Sequence, residues 1–301
     1  IDTIKPTMNN IFITGGLGQD GKILTKILLK KNFRVLIFGR KKNNIKNKKI
    51  KYFNNNLLNL KKLEKIFLIN KPDVIVHLAA NNPAYNEESY KKFYKNNINA
   101  SKNIFKSSFK YNPKVKLLFA NSSQIFKKNS GTVNEYSKQE INSYYTRFRI
   151  EFDKFMLSKK VNYTNIIIFN HDSKYKKKKF LLPRLMKSIK YKNVNLLKKI
   201  LSENIFGDFS HAEDICNGIY KIINSNKRIK KVILSSNKCT SVNNLIKFII
   251  KKNKVKINLD FNINKKRSKC LKGNNDYAKK IINWRPKKNI FIAANEIFNN
   301  L

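Results

Sequence analysis

The chain has 301 residues, with 65 Lys and Arg against 18 Asp and Glu, a formal net charge of +47, and 41% hydrophobic residues. Such an apolar share can bury a core, so general disorder is excluded, and the length suits two ordinary domains or one large α/β unit. The longest apolar stretches, such as Ile166–Phe169 and Phe248–Ile250, are far too short to cross a bilayer, so no membrane span is expected.

The first apolar run, Asn10–Thr14, reads as a buried strand, and Met8 stands just before it, so residues 1–7 read as an upstream extension. A glycine-rich turn follows, then helical periodicity over Lys22–Lys31 and a second apolar run at Phe33–Phe38. Leu60–Ile69 predicts a helix, Asp73–Leu78 a buried strand, Asn97–Phe109 a helix and Val115–Ala120 a strand. Tyr144–Leu157 predicts a long helix and Tyr163–Phe169 a further strand. Strands alternating with helices indicate βαβ units and a parallel sheet. The expected fold is therefore α/β, a Rossmann-type doubly wound parallel sheet with a smaller C-terminal substrate-binding portion. Beyond about residue 170 the alternation breaks. Lys174–Lys179 reads as a solvated basic loop, and helical stretches follow at Leu181–Lys190, Ala212–Ile223, Val242–Lys252 and Asp276–Ile282, with an apolar run at Lys231–Leu234. The predicted division is 8–170 for nucleotide binding, with some later segments returning to it, and 171–301 for a discontinuous substrate-binding portion.

A charge of +47 raises nucleic acid as a partner, because basic proteins release counterions from polyanions. The basic residues are almost all Lys, with only eight Arg, and they spread from Lys5 to Lys288. Readers of phosphates and base edges favour Arg, whose planar fork pairs bidentately. Asn makes up about 15% of the chain, and Lys, Asn and Ile together point to compositional drift coating an ordinary fold. No specific nucleic-acid role is expected, although the charge favours an anionic small substrate. Cys216, Cys239 and Cys270 lie far apart with no metal-ligand spacing, so neither a disulfide framework nor a zinc site is expected, and no metal is assigned. No basic-then-apolar signal opens the chain, which makes a cytoplasmic location the default expectation.

The strongest chemical signal is Gly15-Gly16-Leu17-Gly18-Gln19-Asp20-Gly21, between a predicted strand and a predicted helix. Four of the nine glycines fall in these seven residues. Glycines at this place permit a tight turn, close backbone approach to a pyrophosphate and close helix–sheet packing, with the phosphate on the helix N-terminus. Thr14 through Gly21 resembles the TGxxGxxG of the extended short-chain dehydrogenase/reductase family. At the end of the second strand stands Gly39-Arg40 rather than an acidic residue; Arg there accommodates a ribose 2′-phosphate, which favours NADP over NAD.

Further residues resemble the family in order, from about Asn10 to Ile297. Asn56-Leu57 sits where the family usually has Asp-Leu near the adenine. Leu78-Ala79-Ala80 resembles its LAA segment beside the cofactor, Asn97–Ser101 its NxxGT helix start, and Asn283-Trp284-Arg285-Pro286 its closing GWxP. Within the family the chain most resembles the GDP-mannose 4,6-dehydratases, through Gly18-Gln19-Asp20-Gly21, Phe169–Ser173 (FNHDS) and Asp208–Asp214 (DFSHAED). That resemblance implies that Asn170, Arg184 and Arg267 bind the nucleotide sugar, that His171 and Lys176 lie near the cofactor, and that GDP-hexose is the substrate. It also implies a homodimer or homotetramer. The histidines His171 and His211 read equally well as structural.

The family's Tyr-x-x-x-Lys pair, a Tyr acid/base with a Lys one helical turn on, aligns with Tyr145 and Arg149. Arg keeps the charge but is bulkier and does not readily relay a proton. At Ala120–Gln124, Ser122 replaces the dehydratases' Thr hydroxyl and Gln124 their Glu base. A dehydratase oxidises C4, removes the C5 proton with a carboxylate, expels the C6 hydroxyl and returns hydride to C6; a carboxamide cannot be that base. The expected activity is an NADP-dependent dehydratase on a nucleotide sugar. A 4-keto reductase or epimerase on the same scaffold is the alternative, and a catalytically impaired cofactor-binding protein a third reading.

Overall fold

The computed structural model describes residues 10–41, 45–80, 90–127, 131–261 and 270–301. In chain order its elements are β1 (Asn10–Thr14), α1 (Gln19–Lys30), β2 (Arg34–Gly39), β3 (Ile50–Asn54), α2 (Leu60–Asn70), β4 (Val74–His77), α3 (Tyr90–Tyr111) and β5 (Lys116–Ser122). A 3-10 turn (Ser123–Ile125) leads to β6 (Thr132–Val133), α4 (Tyr144–Leu157), β7 (Tyr163–Ile168), β8 (Asn170–Asp172), α5 (Leu181–Lys190), α6 (Val194–Ser202) and β9 (Phe206–His211). The chain closes with α7 (Ala212–Ile223), β10 (Lys231–Leu234), β11 (Cys239–Ser241), α8 (Val242–Lys252), β12 (Lys272–Gly273), α9 (Asp276–Ile282) and α10 (Ile290–Asn299).

The α/β expectation holds. Seven strands form one sheet in the order β10-β7-β5-β4-β1-β2-β3, and the neighbours from β3 through β5 run parallel. Starting from β1, the chain builds outward to β2 and β3, then returns to place β4 on the other side of β1. That reversal opens a crevice beyond the carboxyl ends of β1 and β4, where ligands of doubly wound sheets bind. The central strands are buried along nearly their whole length (Ile11, Phe12 and Ile13; Val74, Ile75 and Val76; Leu117, Leu118 and Phe119), as a sheet covered on both faces requires.

The chain divides into two compact units. One runs up to Ile125 and takes in Glu140–Ile166 and Ile219–Lys231; the other comprises Phe126–Gln139, Ile167–Gly218 and Val232–Leu301. In the first unit, Phe12, Phe38, Phe67, Phe119, Phe148 and Phe152 build an aromatic core. Phe119 and Phe152 pack edge to face at 4.8 Å between ring centroids. In the second unit, α5 presents Leu182, Leu185, Met186 and Ile189, the i, i+3, i+4, i+7 stripe of an amphipathic helix. It buries that stripe with Leu197, Ile200 and Leu201 of α6, Leu245, Ile246 and Ile249 of α8, and Ala293, Ala294 and Ile297 of α10.

The second unit also holds two small sheets, β11-β9-β8 and β12-β6. Here the sequence expectation is corrected: Cys239 and Cys270 form a disulfide, their Cα atoms 6.2 Å apart across 31 residues of chain. Separation in sequence said nothing about this pair, because the fold returns the chain from α8 to the start of β11. Cys216 forms no disulfide and is buried in α7. Among the described residues no helix is long and apolar enough to cross a membrane, and no group of three or more His, Cys, Asp or Glu is placed to hold a metal ion.

Candidate active site

The glycine turn leaves β1 at the crevice, and each glycine there has a different reason. Gly15 sits at φ +72°, in the left-handed region, and a Cβ there would lie 3.1 Å from the Ala79 amide nitrogen. A Cβ on Gly21 would lie 2.3 Å from the Gly16 Cα, so only glycine lets α1 pack this closely on the turn. A Cβ on Gly18 would lie 3.2 Å from the Gly15 carbonyl oxygen, tighter than an ordinary contact, so glycine suits this position too. Gly18 is also the N-cap of the twelve-residue helix α1 and has no side chain to cap it, so the positive end of the helix dipole faces the turn. The turn thus fits a dinucleotide pyrophosphate.

Beneath the turn lies a relay the sequence reading missed. The Ala79 N–H donates to Thr14 Oγ1 at 3.1 Å, and Thr14 Oγ1 lies 2.7 Å from His77 Nδ1. His77 Nε2 lies 2.8 Å from Ser101 Oγ, which donates to the Asn97 carbonyl at 2.8 Å. Because the last hydroxyl donates onward, His77 Nε2–H must be the donor to Ser101, and Nδ1 accepts from Thr14. Every donor then has an acceptor with the imidazole neutral. Burial first, and the Arg149 charge second, push the His77 pKa down to about 3. The relay ties the end of β1 to the segment after β4, the two edges of the crevice. A histidine closing an otherwise apolar strand was the available signal.

On α4, Ser143 and Thr146 form a reciprocal capping box: Thr146 N–H donates to Ser143 Oγ at 3.2 Å, and Ser143 N–H to Thr146 Oγ1 at 3.1 Å. This fixes the first turn, which carries Tyr145, and places Arg149 one turn later on the same face. Arg149 is buried. Its Nη2 donates to Tyr145 Oη at 2.9 Å, while Nη1 donates to the Ala120 carbonyl of β5. The guanidinium lies 4.9 Å from the Tyr145 ring centroid and 5.2 Å from that of Phe119. The planar fork lets one side chain donate to two acceptors in fixed directions, which a compact lysine ammonium does not match. Ser122 follows two residues after Ala120 and is half-buried, and its Oγ accepts the Gln124 N–H at 3.3 Å. Gln124 is exposed.

The remaining predicted cofactor residues of this unit lie at its carboxyl edge. Arg40 follows β2 and is exposed. Asn56 turns the chain after β3, its Oδ1 accepting the Leu58 N–H at 3.1 Å. Leu57 is half-buried there, and its carbonyl accepts from Asn103 Nδ2 at 3.0 Å. Leu78, Ala79 and Ala80 follow β4 and are half-buried. Gln19 Nε2 donates to Asp20 Oδ1 at 3.0 Å in the first turn of α1.

The other predicted residues belong to the second unit. Asn170 opens β8 and is exposed; Arg184 is exposed on α5. His171 Nδ1 lies 2.7 Å from the Phe169 carbonyl. Lys176 Nζ donates to the His171 carbonyl at 2.8 Å and pairs with Asp172 at 3.5 Å. Arg267 lies outside the described residues. His211 has a packing role: its Nδ1 accepts the Glu213 N–H at 3.1 Å and its Nε2 faces Glu296 at 3.3 Å. Trp284 of the closing motif is buried, donating Nε1–H to the Asp214 carbonyl at 2.9 Å. Asp208 accepts N–H groups from Ser236, Asn237 and Gly273.

The family model described as NAD dependent epimerase/dehydratase family matches residues 11–234. The chain belongs to that family. No curated protein sequence matches it, whereas solved structures match in fold. UDP-glucose 4-epimerase from Thermotoga maritima, solved with UDP-glucose, is 16% identical, with TM-score 0.80 over 97% of this chain and 98% of that one. dTDP-glucose 4,6-dehydratase from Bacillus anthracis, solved with NAD, is 16% identical, with TM-score 0.80 over 97% and 96%. The enzyme WbmG of Bordetella bronchiseptica, solved with NAD, is 14% identical, with TM-score 0.78 over 99% and 96%. At such identities the likeness is one of fold.

Proposed function

We propose that the chain is a nicotinamide-dependent enzyme that oxidises or reduces a hydroxyl-bearing carbon of a nucleotide sugar, as a 4-keto reductase or an epimerase does. The observation that carries this reading is the Arg149–Tyr145 pair at 2.9 Å. The bound cofactor supplies a hydride donor or acceptor. Tyr145 Oη, accepting from Arg149, keeps its own proton available to a substrate oxygen, and the buried cation stabilises negative charge developing on the phenol oxygen. Ser122 orients the same substrate oxygen. Gly15, Gly18 and Gly21 receive the pyrophosphate, with the first turn of α1 carrying Gln19 and Asp20, and the Thr14–His77 relay holds Ala79 against that turn. Arg40 favours NADP through a 2′-phosphate, and Asn56 and Leu57 flank the adenine. Asn170 and Arg184 of the second unit bind the nucleotide diphosphate, with His171 and Lys176 toward the cofactor.

Gln124 weighs against water elimination, since its amide cannot take the C5 proton. The dehydratase reading rests on Gly18–Gly21 and Phe169–Ser173, which resemble the GDP-mannose 4,6-dehydratases. One assay separates the readings. The protein is incubated with NADP and GDP-mannose, and with NADPH and a 4-keto sugar nucleotide. Oxidation of NADPH, with no 4-keto-6-deoxy product from GDP-mannose, supports the reductase. Formation of that product overturns it in favour of the dehydratase. Interconversion of C4 epimers supports the epimerase, and no turnover of any kind leaves a cofactor-binding protein.

A further inference from the structure

A second concave site lies in the first unit at the amino ends of the sheet strands, away from the glycine turn. It is a cavity of about 640 Å³ whose wall includes Lys114, Lys116, Lys160, Lys227 and Arg228 against a single carboxylate, Asp73. Its volume falls within the roughly 300–1,000 Å³ of small-molecule sites. Five of eleven lining residues are cationic, about twice the share of Lys and Arg in the chain as a whole, so general lysine enrichment does not account for the cluster.

The wall is pinned rather than loose. Lys114 N–H donates to Asn112 Oδ1 at 3.2 Å, and Asn112 Nδ2 donates to the Pro72 carbonyl at 3.0 Å. Lys116 N–H donates to the Asp73 carbonyl at 3.0 Å, and Leu117 N–H to the Asn162 carbonyl at 2.9 Å. Asp73 Oδ2 accepts the Asn10 N–H at 3.1 Å. At the floor, Lys116 is buried, its ammonium donating to the Ile222 and Ser225 carbonyls at the end of α7. This holds the Lys116 ammonium under the cleft, its pKa lowered by burial to about 8, while Lys114, Lys160, Lys227 and Arg228 line it with further donors. The lining contains no aromatic ring on which a nucleobase could stack.

We propose that this cleft binds a compact oligophosphate, a pyrophosphate or tripolyphosphate group, read through its charge and oxygen atoms alone. Such a ligand matches clustered ammonium and guanidinium donors. The shared chemistry covers inorganic oligophosphate and the phosphate chain of a nucleotide.

The test is isothermal titration of the full chain with pyrophosphate and tripolyphosphate at about 0.15 M salt, where charges beyond roughly 8 Å are screened. It compares wild type, the variant Lys114→Gln/Lys160→Gln/Lys227→Gln/Arg228→Gln, and the control Lys61→Gln/Lys62→Gln/Lys65→Gln on exposed α2. Thermal unfolding of all three checks that they fold. The expected result is at least a tenfold weakening of binding in the cleft variant and less than a twofold change in the control. Equal weakening in both, or none in either, overturns the proposal, because binding then reports net charge or the glycine turn. An ADP arm separates the sources. If the affinity lost with the cleft substitutions is the same for ADP as for pyrophosphate, the phosphates alone are read. A larger loss for ADP overturns recognition by phosphate alone.

Discussion

Acidification tests the His77 relay directly. Folded, His77 titrates at about 3, held down by burial and by Arg149; unfolded, it returns to an ordinary value of about 6.5. Below pH 6.5 the unfolded chain therefore takes up a proton that the folded chain refuses, so stability falls as pH falls, at about 1.4 kcal/mol per unit, until the folded pKa is reached. The loss is negligible above about pH 7.5. It amounts to about 2.7 kcal/mol by pH 4.5 and about 4–5 kcal/mol by pH 3. Other groups titrate over the same range, so the measurement is a difference between wild type and His77→Asn, whose Oδ1 still accepts from Thr14. Urea unfolding of both proteins, followed by far-UV circular dichroism from pH 8 to pH 4.5, gives that difference. At pH 8 the variant is the less stable, having lost the bond to Ser101. Its deficit shrinks on acidification and reverses if the bond is worth less than the titration term. A difference that stays flat between pH 7 and pH 4.5 refutes a buried, neutral His77, and with it the assigned direction of the relay.

Three further outcomes follow from the geometry. Tyr145→Phe should lower turnover of the nucleotide sugar by about 10²- to 10⁴-fold while leaving nicotinamide-cofactor affinity within threefold, and Arg149→Met should lower turnover more than Arg149→Lys; equilibrium titration of the cofactor separates binding from chemistry. Gly21→Ala drives a Cβ into the Gly16 backbone, so it should cost about 1–3 kcal/mol, outweighing the roughly 1 kcal/mol that Ala adds to a helix interior, and should abolish nicotinamide-cofactor binding measured by fluorescence titration. Reducing the Cys239–Cys270 bond opens a loop of 31 residues and should destabilise the second unit by about 3–4 kcal/mol. The single tryptophan, Trp284, is buried in that unit and reports its unfolding; an unchanged urea midpoint on adding dithiothreitol would contradict the bond's stabilising role.

Much of the architecture was legible in the residues because it rests on local rules. Helices α4, α5, α7, α8 and α9 begin and end where the sequence pattern placed them, as does β1. The edge strand β3 escaped notice, since Ile50–Asn54 is only partly buried and lacks the continuous apolar run of the central strands. Helix α1 starts three residues earlier than its periodicity showed, because its first turn is built from the glycine motif itself. In the second unit α6, β9 and α10 were missed, and there the elements are short and each finds its apolar partner far along the chain.

The sequence by itself determined the glycine turn, the alternation of strands and helices, and the pairing of Tyr145 with Arg149, because each depends on residues within a few positions of one another. Only the tertiary structure decided what these residues meet. Arg149 spans Tyr145 and the Ala120 carbonyl. His77 joins Thr14 to Ser101 across 63 and 24 residues of chain. Cys239 reaches Cys270, and cations from Lys114 to Arg228 gather at one end of the sheet. Burial and hydrogen-bond direction are properties of packed neighbours, and strand order, which no local pattern encodes, chooses the neighbours.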